Sequence, residues 1–282
     1  IIPLYFLVIT LCAIWWIGVR GQAEWWPYLP FYYAFLSNFM EVDIPLLAPT
    51  WSLSVEEQYY MLWPAVLLLI PALRWRLPLV LGLLAVIYAS AQGLLPQAQV
   101  IRTDIVDIRL PDPAYGAILI GSLMALVLHH PKGFARLWPV LGHPMAPLGL
   151  FLALIVAWQA LPGILLGWPG LVMHLLMAAV LASIVLREDH VLAPVLRWRP
   201  IARLGVISYG LYLWHLIGRH VGVEVASGLG LDGVIAGWVA LPIYVLATIV
   251  IAEISFRWFE SYFLRLKAKS PPPAGDGLGQ SS

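Results

Sequence analysis

Long apolar segments separated by short polar linkers constrain this chain more than any other feature. A helix needs about 20 mainly apolar residues to cross about 30 Å of hydrocarbon. Of the 282 residues, 61% are hydrophobic and only 11% are charged, against about 25% charged in soluble domains. The sequence therefore predicts an all-α, polytopic membrane bundle. Eight predicted spans lie near 1–19, 52–70, 78–95, 113–130, 146–161, 169–186, 204–222 and 234–256.

The positions of the charges predict how the chain is oriented. Basic residues concentrate in alternate linkers and near the C-terminus, and by the positive-inside rule that side is cytoplasmic. We therefore expect a multi-pass protein of the plasma membrane with both ends of this chain in the cytoplasm. A transmembrane domain is predicted over 1–266 and a disordered tail, rich in Pro, Gly and Ser, over 267–282. With a net charge of +1 the expected partner is the lipid bilayer and not a nucleic acid.

Two adjacent carboxylates, Glu56 and Glu57, interrupt the second apolar segment. Ser54, three residues before Glu57, fits a capping box at the start of a helix, which gives Glu57 a structural explanation. Glu56 has no such explanation, and an ionisable side chain in a membrane span is by default a functional candidate. Helical spacing places it on one face with three aromatic residues, Tyr59, Tyr60 and Trp63.

The seventh predicted span carries a polar stripe at steps of four, seven and eleven residues, made by Ser208, Tyr212, His215 and Arg219. Such a stripe is expected to face the bundle interior. His215 could relay protons, donate a hydrogen bond to a substrate, or hydrogen-bond a neighbouring helix. None of the other histidines has the spacing of a zinc site, so neither a metal site nor a bound cofactor is predicted.

Three motifs resemble the membrane-bound acyltransferase family 3, whose bacterial members O-acylate surface polysaccharides. They are "WSLSVEEQYYMLWP" at 51–64, "LGVISYGLYLWH" at 204–215 and "ISFRWFESYFLRL" at 254–266. The resemblance implies an inner-membrane O-acyltransferase. We expect it to move an acyl group, expected to be acetyl, from cytoplasmic acyl-coenzyme A to a hydroxyl of a cell-surface carbohydrate such as lipopolysaccharide.

Within that reading the candidate catalytic residues are Glu56 and His215. Candidate acceptor-binding residues are Asn38, Trp51, Ser52, Tyr59, Ser208, Tyr209 and Tyr212, although Asn38 and Ser52 equally suit loop and capping roles. Guanidinium groups match phosphate geometry, so the candidates for coenzyme A are Arg197, Arg199 and Arg203. The positive-inside rule alone also explains these arginines.

The chain departs from the family at its beginning. Members resemble ten-span proteins with a catalytic histidine in the first span, and "IIPLYFL" at 1–7 looks like the start of their third. We therefore expect two spans and the histidine upstream of Ile1, with Glu56 orienting that histidine or completing the polar pocket. Residues 1–282 alone are then expected to show no turnover. A glycan transporter or flippase, or an inactive remnant, stays open as an alternative function.

The predicted topology is tested by reporter fusions along the chain. Fusions after one set of positions should report cytoplasm: Arg76, Lys132, Arg199 and Lys267. Fusions after a second set should report the outside: Asp43, Asp107, Gly163 and Asp232. One inverted pair of neighbouring reporters would contradict the eight-span arrangement.

Overall fold

The computed structural model describes residues 2–70, 72–162 and 166–269 of the chain. Residues 270–282, most of the predicted tail, lie outside this range. The helices are α1 (Ile2–Ala13, continuing as a π-helix, Ile14–Val19), α2 (Leu29–Tyr33), α3 (Thr50–Leu69), α4 (Leu73–Ala91), α5 (Gly116–His129), α6 (Pro131–Leu141), α7 (Ala146–Ala160), α8 (Gly167–Leu186), α9 (Ala193–Leu196), α10 (Arg199–Val206), α11 (Ser208–Gly228), α12 (Gly233–Ser255) and α13 (Ser261–Lys269). A second π-helix, Phe256–Glu260, joins α12 to α13, and 3-10 turns occupy Ala23–Tyr28, Ser37–Phe39 and Pro113–Tyr115.

The predicted class, an all-α polytopic membrane protein, is confirmed. Within the described residues, four helical segments are long and apolar enough to cross a membrane: Ile2–Val19, Arg74–Ala91, Gly167–Leu186 and Gly233–Leu266. The bent pair α5 and α6 makes a fifth if it counts as one span. Helices also occupy the other predicted spans, but α7 is short and polar residues lower the hydropathy of α3 and α11. The count of eight therefore stays a prediction.

Two helix boundaries differ from the predicted ones. The third span was expected from 78, but α4 begins at Leu73 and includes Pro78. It ends near Gly93, whose φ of 77° is a left-handed conformation that glycine adopts without strain. The seventh span was expected as one helix from 204, but the chain breaks at Ile207 between α10 and α11.

A hairpin that the sequence analysis did not predict connects α4 to α5. Its strands, β1 (Ala98–Arg102) and β2 (Asp107–Leu110), pair antiparallel with an irregularity between Gln99 and Ile101. Short exposed strands of this kind lack a buried apolar face, so their sequence shows no clear alternation.

A bend of 107° separates α5 from α6. His130 is extended because it precedes Pro131, and a residue before proline avoids the helical region. The His130 side chain then accepts a hydrogen bond from the Lys132 backbone at 3.2 Å and caps α6. At Gly133 a Cβ atom would lie 2.1 Å from the Val127 carbonyl oxygen, so only glycine permits the close approach of the two helices.

The described chain divides into two compact units, which are described separately. The first unit contains the residues up to Leu29, Ile44–Pro49 and the residues from Arg203 onward; the second contains Pro30–Asp43 and Thr50–Ala202. In the first unit the glycine-rich face of α11 packs on α12. A Cβ on Gly218 would meet the Thr248 hydroxyl oxygen at 2.1 Å, and one on Gly222 would meet the Ala240 carbonyl oxygen at 2.6 Å.

The second unit has its core between α4 and α5. Three residues of α4 at helical spacing, Val80, Leu84 and Ile87, are buried against two residues of α5, Leu119 and Ile120. Side chains from α3 and α8 pack against this cluster. The core therefore holds α3 in place from one side.

The close approach of α11 and α12 is tested by Gly222→Ala. The added methyl overpacks the contact with Ala240, and overpacking costs about 1–3 kcal/mol, so the thermal midpoint of the purified protein should fall. Gly228→Ala on the same helix is the matched control, because a Cβ there meets nothing within 4 Å. Equal midpoints for the two variants would contradict the packing described.

Candidate functional site

Helix α3 carries the candidate carboxylates and begins at Thr50, four residues earlier than a capping box at Ser54 requires. The capping interpretation of Ser54 and Glu57 is therefore wrong. Ser54 lies inside the helix, is fully buried, and bonds the Ser37 hydroxyl at 2.8 Å instead of a free backbone amide of its own helix. The Glu57 side chain has no hydrogen-bond partner among the described residues.

One face of α3 holds a buried polar network, formed by Thr50, Ser54 and Gln58 at successive four-residue steps. The Thr50 hydroxyl donates to the Ser37 hydroxyl at 3.2 Å, and the Ser37 backbone amide donates to Ser54 at 3.3 Å. The Gln58 amide donates to the Phe35 carbonyl oxygen at 2.6 Å. These bonds attach the 35–38 turn to the helix.

Asn38 belongs to the same network. Its carbonyl oxygen accepts from the Gln58 amide at 2.9 Å, and its own amide donates to the Asp112 carboxylate at 3.3 Å. The Tyr115 hydroxyl donates to the Gln58 carbonyl oxygen. Asp112 also accepts from the Ala114 backbone amide at 2.8 Å and so begins the turn before α5. The polar atoms of Asn38 are therefore engaged within the protein.

A second face of α3 opens into a cleft of about 350 Å³. Ser52, Glu56 and Tyr60 line it at four-residue steps, so the Glu56 carboxylate lies between a hydroxyl and a phenol along the helix. Trp51 also lines this cleft, together with Ala114 of the turn before α5 and Ala117 and Ile118 of α5. Among the candidates in this unit, the structure brings together Trp51, Ser52 and Glu56.

Trp51 also lines a neighbouring cleft of about 410 Å³. There the Tyr88 hydroxyl lies 2.6 Å from Nδ1 of His174, and Asp112 lies on the same wall. His174, alone in an apolar span by sequence, thus has a polar partner from α4. Both clefts share Ala114 and Ala117 as lining residues with Trp51.

Tyr59 points away from Glu56. Its ring stacks on Trp63 with centroids 5.3 Å apart, and its hydroxyl bonds the Ser122 hydroxyl. Both rings line an apolar cleft of about 370 Å³ with residues of α4. The predicted aromatic neighbourhood of Glu56 is therefore correct for Tyr60 and wrong for Tyr59 and Trp63, because the i+3 and i+7 positions turn toward the core side of α3.

A smaller cleft of about 160 Å³ lies beside Asn38 and contains the one ion pair of this region among the described residues. Arg109 and Asp107 are 2.5 Å apart on strand β2. The hydrogen bond from Arg109 holds the pKa of the Asp107 carboxyl below its usual range, with a smaller effect from Gln99. Asp107 is therefore ionised at neutral pH.

The candidates of α11 lie in the first unit. The Tyr212 hydroxyl donates to the Pro49 carbonyl oxygen at 2.7 Å, and Nδ1 of His215 lies 2.6 Å from the Tyr212 carbonyl oxygen. Ser208 and Arg219 are exposed, while Tyr209 and His215 are half-buried. His215 is three residues before Gly218 and seven before Gly222, so it lies near the face of α11 that packs on α12.

The three candidate arginines differ in their partners. Arg203 donates two hydrogen bonds of 2.9 Å to the Glu253 carboxylate, and its guanidinium lies 4.6 Å from the Phe256 ring centroid. Arg197 lies 3.7 Å from the exposed Glu188 carboxylate. Arg199 has no ion pair among the described residues and is exposed. Arg203 therefore has an ion-pair partner, but it shares the Glu253 carboxylate with Arg257, whose Nε lies 2.5 Å from the same group.

Comparison with known proteins identifies the family. A family model described as "Acyltransferase domain" matches residues 1–256, most of the chain. The chain belongs to the membrane-bound acyltransferase family 3. This match confirms the resemblance on which the sequence-based candidates depend, and it favours acyl transfer over transport.

Two relatives of this chain are named as peptidoglycan O-acetyltransferases. "Putative peptidoglycan O-acetyltransferase YrhL" of Bacillus subtilis (strain 168) is 28% identical over 92% of this chain and 43% of its own length. "Peptidoglycan O-acetyltransferase OatA" of Listeria monocytogenes serovar 1/2a (strain ATCC BAA-679 / EGD-e) is 28% identical over 86% of this chain and 40% of its own. The chain thus spans less than half the length of these relatives. It matches no solved structure significantly.

Sequence reasoning missed several residues in and around the candidate site, namely Thr50, Ser54, Gln58, Asp112, Tyr115 and the Tyr88–His174 pair. The four-residue spacing of Thr50, Ser54 and Gln58 is visible in the sequence. It was overlooked because Ser54 was interpreted as part of a capping box. Pairing of Tyr88 with His174 depends on which helices are neighbours. No group of three potential metal ligands occurs within the described ranges.

Asn38→Asp tests whether Asn38 is structural. The substitution removes the donor to Asp112 and places a carboxylate against a carboxylate, so the thermal midpoint should fall by more than in Asn38→Ala. The excess loss should be smaller at acidic pH, where one carboxyl of the pair binds a proton and can donate to the other. Thermal unfolding at two pH values measures both effects. A more stable Asn38→Asp variant would refute the network.

Proposed function

We propose that this chain is the membrane domain of an O-acyltransferase of the plasma membrane that acylates a carbohydrate hydroxyl. The family match over residues 1–256 supports acyl transfer. The names of both relatives support acetyl as the group and a peptidoglycan-type glycan as the acceptor. They give no support to the lipopolysaccharide acceptor that the sequence analysis expected. Acyl-coenzyme A is proposed as the donor.

The cleft at Glu56 carries the proposal. The acceptor hydroxyl loses its proton as its oxygen bonds the acyl carbonyl carbon, and the carbon–sulfur bond of the thioester then breaks to release the thiol. A base must hold that proton, and a positioned carboxylate or imidazole serves this purpose. Glu56 is the acidic residue lining the cleft, so it either takes the proton or orients and stabilises the imidazole that does.

The neighbours of Glu56 suit a carbohydrate. Trp51 is 46% exposed and offers an apolar ring face for a sugar, while Ser52 and Tyr60 provide hydroxyl groups on the same side of the helix. Asn38 is better assigned to structure, because Gln58 and Asp112 engage its amide. Tyr59 packs on the core side of α3 and is not proposed to contact the acceptor.

The candidate residues that do not line this cleft receive separate roles. His215 is proposed as a second candidate for proton transfer, with Ser208, Tyr209 and Tyr212 as polar residues of the same helix. Arg197 and Arg199 are the proposed contacts for coenzyme A phosphates. Arg203 is a weaker candidate than the sequence suggested, because its bidentate ion pair with Glu253 would have to break before it could bind a phosphate.

Glu56→Gln tests the proposed chemistry in the complete protein, with Glu57→Gln as the matched control. Both changes remove one negative charge at adjacent positions, and only Glu56 lines the cleft. Loss of an acid–base partner typically costs on the order of 100-fold in turnover. We therefore expect Glu56→Gln to lose at least that factor and Glu57→Gln to stay near wild type, measured as acyl incorporation per unit of inserted protein. Equal activities of the two variants would refute the assignment.

A further inference from the structure

A basic cleft of about 540 Å³ lies at the opposite end of the second unit's helices, where α4 begins and α5 bends into α6. Arg74 reaches it from the first turn of α4, and Lys132 and Arg136 reach it from α6. The remaining walls are mainly apolar and include Leu77 and Leu126. The cleft therefore combines three cations with an aliphatic surface.

The positive charge of this cleft is not balanced within the described part of the chain. None of Arg74, Lys132 and Arg136 has a carboxylate within ion-pair distance there, in contrast to Arg187, which lies 2.7 Å from Asp189. All three cations are exposed, and Lys132 and Arg136 share one face of α6 by their four-residue spacing. A ligand with negative charge would remove their mutual repulsion.

Helix α6 has the features of a helix that lies along a membrane surface. It is 11 residues long, strongly amphipathic, and turned by 107° from the apolar helix that precedes it. Phe134 and Trp138 stack with ring centroids 5.2 Å apart and are both exposed, as aromatic residues at a bilayer interface commonly are. A helix that lies at the bilayer surface would place this cleft at the depth of the phospholipid phosphates.

We propose that this cleft binds an anionic phospholipid, with the headgroup phosphate between Arg74, Lys132 and Arg136 and the upper acyl chains against Leu77 and Leu126. Basic pockets between transmembrane helices bind such headgroups. The aliphatic lining fits acyl chains better than it fits the adenine of coenzyme A, since the cleft contains no Trp, Tyr or Phe ring for stacking. The proposal does not depend on the acyltransferase activity.

The test uses the full chain purified in detergent and titrated with phosphatidylglycerol, with phosphatidylcholine as the neutral comparison. Bound lipid is counted by native mass spectrometry. Each Lys or Arg near an anionic lipid contributes about fivefold in affinity, or about 1 kcal/mol. The combined variant Arg74→Gln, Lys132→Gln, Arg136→Gln should therefore bind phosphatidylglycerol on the order of 100-fold more weakly and bind phosphatidylcholine as before.

Arg265→Gln is the control, because Arg265 is an exposed cation on α13 that does not line the cleft; it should retain wild-type lipid affinity. If the combined variant does not fold, Arg136→Gln and Arg136→Lys replace it, with about a fivefold loss expected only for the first. Equal binding of both lipids by the wild type would overturn the proposal. So would an equal loss in Arg265→Gln, or displacement of phosphatidylglycerol by coenzyme A, which would make the cleft a donor site.

Discussion

The hydrogen-bonded contact between α3 and the 35–38 turn is the interaction on which the candidate site depends. Ser54 and Thr50 bond Ser37, while Gln58 connects Phe35, Asn38 and Tyr115. Buried polar groups cost free energy unless they are paired, and a connected network fixes one arrangement of its members. This network sets the rotation of α3 about its axis, so it also decides which residues reach the cleft on the other face.

The two faces of α3 therefore have different roles: one stabilises the fold, and the other lines the candidate site. The inward side chains use up their hydrogen-bonding capacity on the protein itself, which leaves them little to offer a substrate. Glu56 lies on the face that opens into a cleft, which Trp51 and residues of α5 also line. A carboxylate kept in such a position without an ion pair is suited to proton transfer or to orienting an imidazole.

Much of this arrangement could be predicted from single residues and their spacing. The all-α membrane class follows from apolar segments longer than any soluble core requires, and the choice of Glu56 over Glu57 agrees with which of them lines the cleft. The role of Asn38 could not be predicted from the sequence, because an amide side chain in a loop suits acceptor binding and loop structure equally. The sequence overstated Arg203 as a phosphate-binding candidate. Its ion-pair partner Glu253 lies 50 residues away in sequence, so the pairing could not be predicted.

The sequence by itself determined the environment and the family of this protein, because hydropathy and short motifs are local properties that survive without knowledge of neighbours. Tertiary structure alone decided how the polar residues are used. Pairings such as Tyr88 with His174, Gln58 with Tyr115 and Arg203 with Glu253 join distant segments, and no spacing rule within one helix encodes them. The need for glycine on one face of α11 and at the bend before α6 is likewise visible only in the structure, because it depends on which atoms a Cβ would meet there.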